Sequence, residues 1–280
     1  MAMTCHLREA LPVMDMNVSS FLKCKFIEKV VEGLKSQKSL HAEELSRELN
    51  RFRHDIAKEI ADLYSRDKIA SLLSLVRRHV DEVAKALTEL GYNIVVNENY
   101  VTLTPLAIGL RNPYTEPLEI SVSWDPYMNL PFMPGSSLKG AVASLAFLKR
   151  SKWYELLSSK EEQGSKEQAS PKRASPIVFL DAYPVDVYGN GLLGVDIINP
   201  HYREVEGKIS EAESRPAPLC FLVISKGVAF RVVACATRRW LASYKGEPSL
   251  EELKALIGQA LSRGVGAKTS LGYGRLAPRR

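Results

Sequence analysis

The spacing of apolar residues changes at Gly91, and that change constrains the fold more than any other feature of the chain. Before it, three stretches repeat apolar residues three or four apart, the interval at which side chains share one face of an α-helix. Phe21, Leu22, Phe26, Ile27, Val30, Val31 and Leu34 mark the first. Leu45, Leu49, Phe52, Ile56, Ile60 and Leu63 mark the second, and Ile69, Leu72, Leu73, Val76, Val80, Val83, Leu87 and Leu90 the third. Gly91 then supplies the left-handed residue that commonly ends a helix. Three amphipathic helices in series predict a small bundle, or a helical layer laid against something else. Arg77, Arg78 and His79 read as the solvated face of the third helix, although contact with RNA is also open to them.

After Gly91 the pattern turns to β-branched residues and partial alternation. Asn93 to Leu110 predicts a strand, bent near Pro105. Five prolines between 112 and 134 predict loop, with a short strand around Leu118–Val122. Leu138, Ala141, Val142, Leu145 and Leu148 then share one helical face. Residues 158–176 have almost no apolar content and predict a mobile surface loop. Ile177–Ala182 reads as a strand. The segment Val195 to Tyr202 leads into a polar insertion at 203–216. Leu219–Ile224 and Val228–Ala236 flank Ser225-Lys226-Gly227, which predicts a β-hairpin. Ser249 and Glu252 have the spacing of a capping box and open a helix carrying Leu250, Leu253, Leu256, Ile257 and Leu261. A glycine-rich loop follows, then a last short strand. The order β, α, β, β-hairpin, α, β is that of an α+β, RRM-like or ferredoxin-like domain carrying insertions. The expected division is a helical region at 1–90 and an RRM-like domain at 91–280.

Composition narrows the classes. The formal charge of +6 is uneven: residues 1–90 hold 15 basic and 14 acidic side chains, and residues 91–280 hold 23 and 18. A basic surplus in one part favours a polyanion, most often nucleic acid, although a pI near 9 alone is compatible with no such partner. No apolar run is long enough for a membrane span, and residues 1–17 lack the pattern of a secretory signal. Cys5, Cys24, Cys220 and Cys235 are scattered, with no Cys-x-x-Cys pair. They read as reduced thiols, so a cytoplasmic protein without a structural metal or cofactor is expected.

Three segments can carry chemistry. Pro134-Gly135-Ser136-Ser137-Leu138-Lys139-Gly140 opens a helix. There, free N–H groups, two hydroxyls and Lys139 can seat a phosphate. Ser136 or Ser137 can equally serve only as a helix cap. The second segment runs from Gly264 to Arg275 and contains Gly266, Lys268, Thr269, Ser270, Gly272 and Gly274. Its end resembles a nucleotide-binding P-loop, but Ala267 stands where glycine is required, and the loop leads from helix to strand rather than the reverse. Nucleotide hydrolysis is therefore rejected, whereas cradling of a nucleic-acid backbone is retained. The third segment, Gly194 to Tyr202, holds Asn199, His201 and Tyr202, which read as a structural loop or an RNA contact. Asp181 and Asp186 have no metal-ligand spacing.

The helix start Pro134–Gly140, paired with the Gly264–Gly274 loop, resembles the CRISPR-associated RAMP superfamily. Phe179-Leu180-Asp181-Ala182-Tyr183-Pro184, with Val195 to Tyr202, resembles more narrowly the sixth-subunit family of the type III-B (Cmr) effector complex. The resemblance covers roughly residues 91–276, and residues 1–90 match no motif.

The resemblance implies an RRM-like fold and a non-catalytic RNA-binding subunit of an antiviral, RNA-guided complex. It implies a cap on the backbone near the 3′ end of the CRISPR RNA. Neighbouring RAMP subunits and a small helical subunit would be its partners, with target RNA met indirectly. Ser136, Ser137, Lys139, Lys268, Arg275 and also Arg238 and Arg239 would follow the RNA backbone. Two departures bear on function. No histidine lies near the helix at 134–150, where RNA-processing relatives often carry one. The aromatic pattern of an RNA-reading RRM sheet is also missing. The rival readings are a metal-independent endoribonuclease using His201 as general base, and a scaffold that binds only protein.

Overall fold

The computed structural model describes residues 17–35, 42–110, 114, 118, 121–158, 174–198, 203–205, 208–210 and 219–279. Three helices come first: α1 (Val18–Lys35), α2 (Ala42–Leu63) and α3 (Arg66–Glu89). After Gly91 come β1 (Asn93–Thr102), the short pair β2 (Trp124–Asp125) and β3 (Leu130–Pro131), α4 (Gly135–Leu148) and α5 (Trp153–Leu157). Then follow β4 (Ile177–Phe179), β5 (Tyr183–Val187), β6 (Leu193–Ile198), β7 (Arg203–Val205), β8 (Lys208–Ser210), β9 (Leu219–Ile224) and β10 (Val228–Ala236). The short α6 (Arg238–Leu241), α7 (Leu250–Arg263) and β11 (Leu276–Pro278) complete the chain.

The central sheet has the order β11-β1-β10-β4, and β5 also pairs with β10. Its ladders are antiparallel, from Asn93 opposite Ala236 to Val101 opposite both Ala229 and Ala277. That is the strand order of the ferredoxin-like α+β fold. Alternation along β1 assigns the layers. Glu98 pairs with Lys254 of α7 at 2.7 Å, and the Tyr100 hydroxyl lies beside Gly258. On the opposite face, Arg231 of β10 reaches Asn97 of β1 and pairs with Asp81 of α3 at 3.3 Å. Helices α4 and α7 therefore cover one face while α3 lies over the other, the face that an RRM leaves open for bases.

The first three helices form a layer on the sheets. Helix α2 lies against β6 and β9, and α3 against β5 and β1. Ile56, Ile60, Ile69 and Val76 share one continuous core with Val96, Phe230 and Leu256. Tyr64, buried between α2 and α3, donates to the Asn129 carbonyl at 2.6 Å and packs edge-on against Trp124. No described helix is long and apolar enough to cross a membrane.

Three local expectations are corrected. β9 and β10 do not form a hairpin. β9 pairs with β6, and Ser225–Gly227 carries the chain into the central sheet. Thr102 fixes that crossover: its carbonyl accepts from Gly227 N–H at 2.8 Å, its hydroxyl accepts from Val228 N–H at 2.9 Å, and it donates to the Ser225 carbonyl at 2.7 Å. β10 is buried at eight of its nine positions, so it needs ladders on both edges, which one hairpin partner cannot give. Second, the described residues around 118–122 form no strand; the small pair β2–β3 stands just after them. Third, the capping box is half made. Ser249 accepts from Glu251 N–H, but Glu252 takes the Ser151 hydroxyl at 2.7 Å instead of closing back on Ser249. Most of the expected loop at 158–176 lies outside the described residues.

Candidate functional site

Helix α4 begins pressed against β4. A Cβ on Gly135 would stand 2.2 Å from the Phe179 carbonyl oxygen, so only glycine fits. The Gly135 N–H donates to the Asp181 carboxylate at 2.7 Å, which places the chain's own anion at the positive end of the helix. Pro134 stands at the cap position, and neither serine caps the helix. Ser136 is exposed, and Ser137 and Lys139 are half-buried. Burial pushes the Lys139 ammonium pKa down.

The loop after α7 closes on itself and on residues 105–107. Val265 N–H donates to the Gly274 carbonyl, Gly274 N–H to Pro105, and Ala267 N–H to Ala107, at 2.9, 2.8 and 2.7 Å. Two glycines make that closure possible. Gly266 and Gly274 have φ of +90° and +71°, and a Cβ on them would stand 2.5 Å from the Ala107 oxygen and 2.0 Å from the Val265 oxygen. Lys268, at φ +61°, leads into a single 3₁₀ turn at Thr269–Leu271. The N–H groups of Gly266, Lys268, Thr269 and Ser270 donate to no described residue.

The helix start and the loop meet at a cleft of about 580 Å³. Ile108, Leu145, Leu148 and Val265 give it an apolar floor. Ser137, Ser144, Thr269 and Arg263 give it a polar rim, and Gly264 and Gly266 contribute backbone. Arg263 forms no ion pair with any described residue.

Lys268 is engaged elsewhere. Its Nζ lies 4.9 Å from the Phe221 ring centroid and 6.0 Å from that of Tyr273, within cation–π range. Burial lowers its pKa, opposed by Asp196. The Tyr273 hydroxyl donates to the Asp196 carboxylate. Burial first, and then that bond, push Tyr273 up to about 12. Asp196 and Phe221 face each other across β6 and β9. The loop is thus latched to the β6–β9 ribbon by one lysine, one tyrosine and one aspartate.

The remaining candidates separate. Arg275 is exposed and its N–H donates to the Thr104 hydroxyl at 3.1 Å. Ser270 is exposed and Gly272 half-buried beside it. Arg238 and Arg239 follow the end of β10 that pairs with Asn93, whereas the loop precedes β11, which pairs with Thr102. The length of β1 puts those two arginines about 30 Å from the loop. Asn199, His201 and Tyr202 lie outside the described residues. Asp186 pairs with Arg77 at 3.9 Å and with Arg279 at 3.6 Å. Among the described residues, no three His, Cys, Asp or Glu side chains are grouped to hold a metal ion.

Two contributors escaped the sequence reading. Arg263 belongs to neither motif and stands in the last turn of α7, and Asp181 lies 46 residues from the N–H it accepts. Only the length of α7, ending one residue before Gly264, pointed to Arg263. Exposed amides, hydroxyls and a cation around an apolar floor suit a phosphodiester backbone, whose charge needs donors and whose sugars tolerate apolar contact.

Comparisons with known proteins agree with this architecture. Residues 99–277 match the family model of the RAMP superfamily. The CRISPR system CMR subunit Cmr6 of Saccharolobus solfataricus is 32% identical over 220 residues, 77% of this chain and 68% of that protein. The Cmr6 subunit of Pyrococcus furiosus is 35% identical over 118 residues, 38% of this chain and 31% of that protein. The cryo-EM structure of the type III-B Cmr-beta bound to cognate target RNA contains a chain that superposes with a TM-score of 0.69 at 25% identity. The match covers 95% of this chain and 91% of that one. The chain belongs to the RAMP superfamily. Within that superfamily, it falls with the Cmr6 subunits of type III-B Cmr systems.

Proposed function

We propose that the chain is a non-catalytic, RNA-binding subunit of a type III-B CRISPR effector complex, capping the backbone near the 3′ end of the CRISPR RNA. The observation that carries this reading is the cleft, which joins the Pro-Gly-Ser-Ser helix start to the glycine-rich loop in a chain related to Cmr6 proteins. Thr269, Ser137 and the amides of Gly266, Lys268, Thr269 and Ser270 would donate to phosphate oxygens. Arg263, Arg275 and Lys139 would supply charge. Lys268 would hold the loop on the ribbon and lend a screened part of its charge. Binding of this kind tolerates sequence and weakens with salt. The closed outer face of the sheet supports recognition by loops rather than by stacking on strands. Engagement of Asp181 by a helix N–H, and of Asp186 by two arginines, supports the non-catalytic reading. Neighbouring RAMP subunits and the small helical subunit would be its protein partners, and target RNA would be met indirectly.

The test is to tag the chain in its own host, purify it in mild salt and sequence the RNA it carries. Short RNAs with a repeat-derived tag followed by spacer sequence are expected. Random RNA, or none, overturns the reading and favours a protein-only scaffold. Repeat RNA cleaved in EDTA, with cleavage lost in His201→Ala, would favour the ribonuclease instead.

A further inference from the structure

Arg238 and Arg239 stand away from the cleft, and what surrounds them has the makings of a second site. Trp240 of α6 packs against Trp153 of α5 at 6.0 Å between ring centroids and against Tyr244 at 4.5 Å. The turn between α4 and α5 therefore lies beside α6. The last turn of α4 presents Phe147, 60% exposed, with its ring 5.1 Å from Tyr154. Contiguous exposed apolar surface rimmed by polar residues is the kind that marks an interaction site. The next residue, Leu148, is 68% exposed and lines the end of the cleft.

Charge collects around this shelf, with the Arg238 stem lying against Gly91 at the end of α3. Residues 149–155 and 238–247 carry six cations against two carboxylates, +4 of the chain's +6. Lys149, Arg150, Lys152, Arg238, Arg239 and Lys245 are all exposed. Lys152 pairs with Glu247 at 3.2 Å, and Lys149 bonds the Gln259 amide. Glu155, Glu251 and Glu252 border the patch, and Glu252 accepts from Ser151. Arg150, Arg238, Arg239 and Lys245 form no ion pair with any described residue.

We infer that this shelf is a second contact surface for single-stranded RNA, stacking a base on Phe147 and gripping phosphates with Arg150, Arg238 and Arg239. An exposed ring set among cations that pair with no described residue is the pattern by which single strands are held without sequence readout. A strand leaving the cleft past Leu148 meets Phe147 next. The inference rests on the proposed RNA-binding function, since it takes the polyanion to be RNA.

The purified full chain is mixed with a uridine-rich, single-stranded oligonucleotide carrying 4-thiouridine. Crosslinks are mapped, and affinity is measured against salt. Crosslinks at 147–154 or 238–245, in addition to 264–275, are expected. Trp124 and Trp153 are buried and Trp240 is half-exposed, so RNA on the shelf should also quench tryptophan emission. Arg238→Ala with Arg239→Ala should make the log–log salt slope shallower by about 1.4. Phe147→Ala, a truncation of an exposed ring, should weaken binding with the slope unchanged. Crosslinks confined to the loop, with the slope unmoved by the arginine pair, overturn the shelf and leave the proposed function standing. A chain that binds no RNA at all overturns both.

Discussion

The helix start at 134–140 and the loop at 264–274 face one cleft and share glycine, hydroxyls and one lysine, yet they use these residues differently. In the helix start, Gly135 is squeezed against β4 while Gly140 faces open space. In the loop, Gly266 and Gly274 are consumed in closing the loop, and Lys268 is drawn onto Phe221. A glycine-rich motif beside a ligand cleft thus need not mark where the ligand's backbone approaches. Here most of the glycines let the protein's own backbones approach one another. The open positions are few, and the rim cation comes from a helix end outside both motifs.

The largest effect should come from the squeezed glycines. Gly135→Ala must displace the Phe179 carbonyl, and Gly274→Ala must displace that of Val265. Each should lose about 2–4 kcal/mol, the range of severe overpacking, read as a fall in urea midpoint. An unchanged midpoint would mean that the backbones are not in contact and that the comparison fails. The latch comes next. Asp196→Asn should cost about 1 kcal/mol through the weakened bond to Tyr273. Its RNA affinity should fall with little change in salt slope, because no phosphate-facing cation is removed.

Gly140→Ala sharpens the contrast by reversing the sign. It sits exposed inside α4 with nothing within 4 Å of a new Cβ. It should raise stability by about 0.5–1 kcal/mol, measured in the same urea titration. Arg263→Ala should leave the midpoint unchanged and make the RNA salt slope shallower by about 0.7. Lys268→Ala should do the reverse, lowering the midpoint more than the slope. If Lys268 shifts the slope as far as Arg263, its ammonium faces phosphate and not the rings.

The smallest effect is alkaline. Burial and the Asp196 bond raise Tyr273 to about 12, so the folded chain keeps a proton that the unfolded chain gives up near 10. That contribution is whole below pH 10 and is lost as the pH climbs towards 12. Tyr273→Phe should flatten the stability profile across that window.

Much of this was legible from residues alone, and the losses have a pattern. Helices α1 to α4 and α7 followed from apolar spacing, because one buried face writes a period of 3.6 into the sequence. The crossover at Ser225–Gly227 was misread because its residues suit a hairpin turn, whereas the pairing of β9 and β10 is decided by β6, β1 and β5, far away in sequence. The run from Val228 to Ala236, apolar on nearly every position, was the clue: such a strand needs neighbours on both edges. The bonds that Asp181 and Glu252 make were not legible because each partner is distant in sequence, and Arg263 gains its place only from the packing of α4 across the cleft. No local spacing announces any of the three. That the helix start and the loop both serve one ligand was an expectation from resemblance to a family, not from any property of either segment, and their meeting at one cleft is seen only in the fold.

The crossover pinned by Thr102 has a mechanical consequence. The ribbon of β6 and β9 hangs from the central sheet by two short connections, 188–192 after β5 and 225–227 before β10, which bond to each other and to Thr102 and leave no slack hinge. Tension applied to the ribbon by anything that grasps it would run directly into β10, the strand with the most ladders, and would act along those ladders in shear. Ribbon and sheet would therefore swing as one stiff lever, and the loop latched to the ribbon would carry every tug to the rim of the cleft.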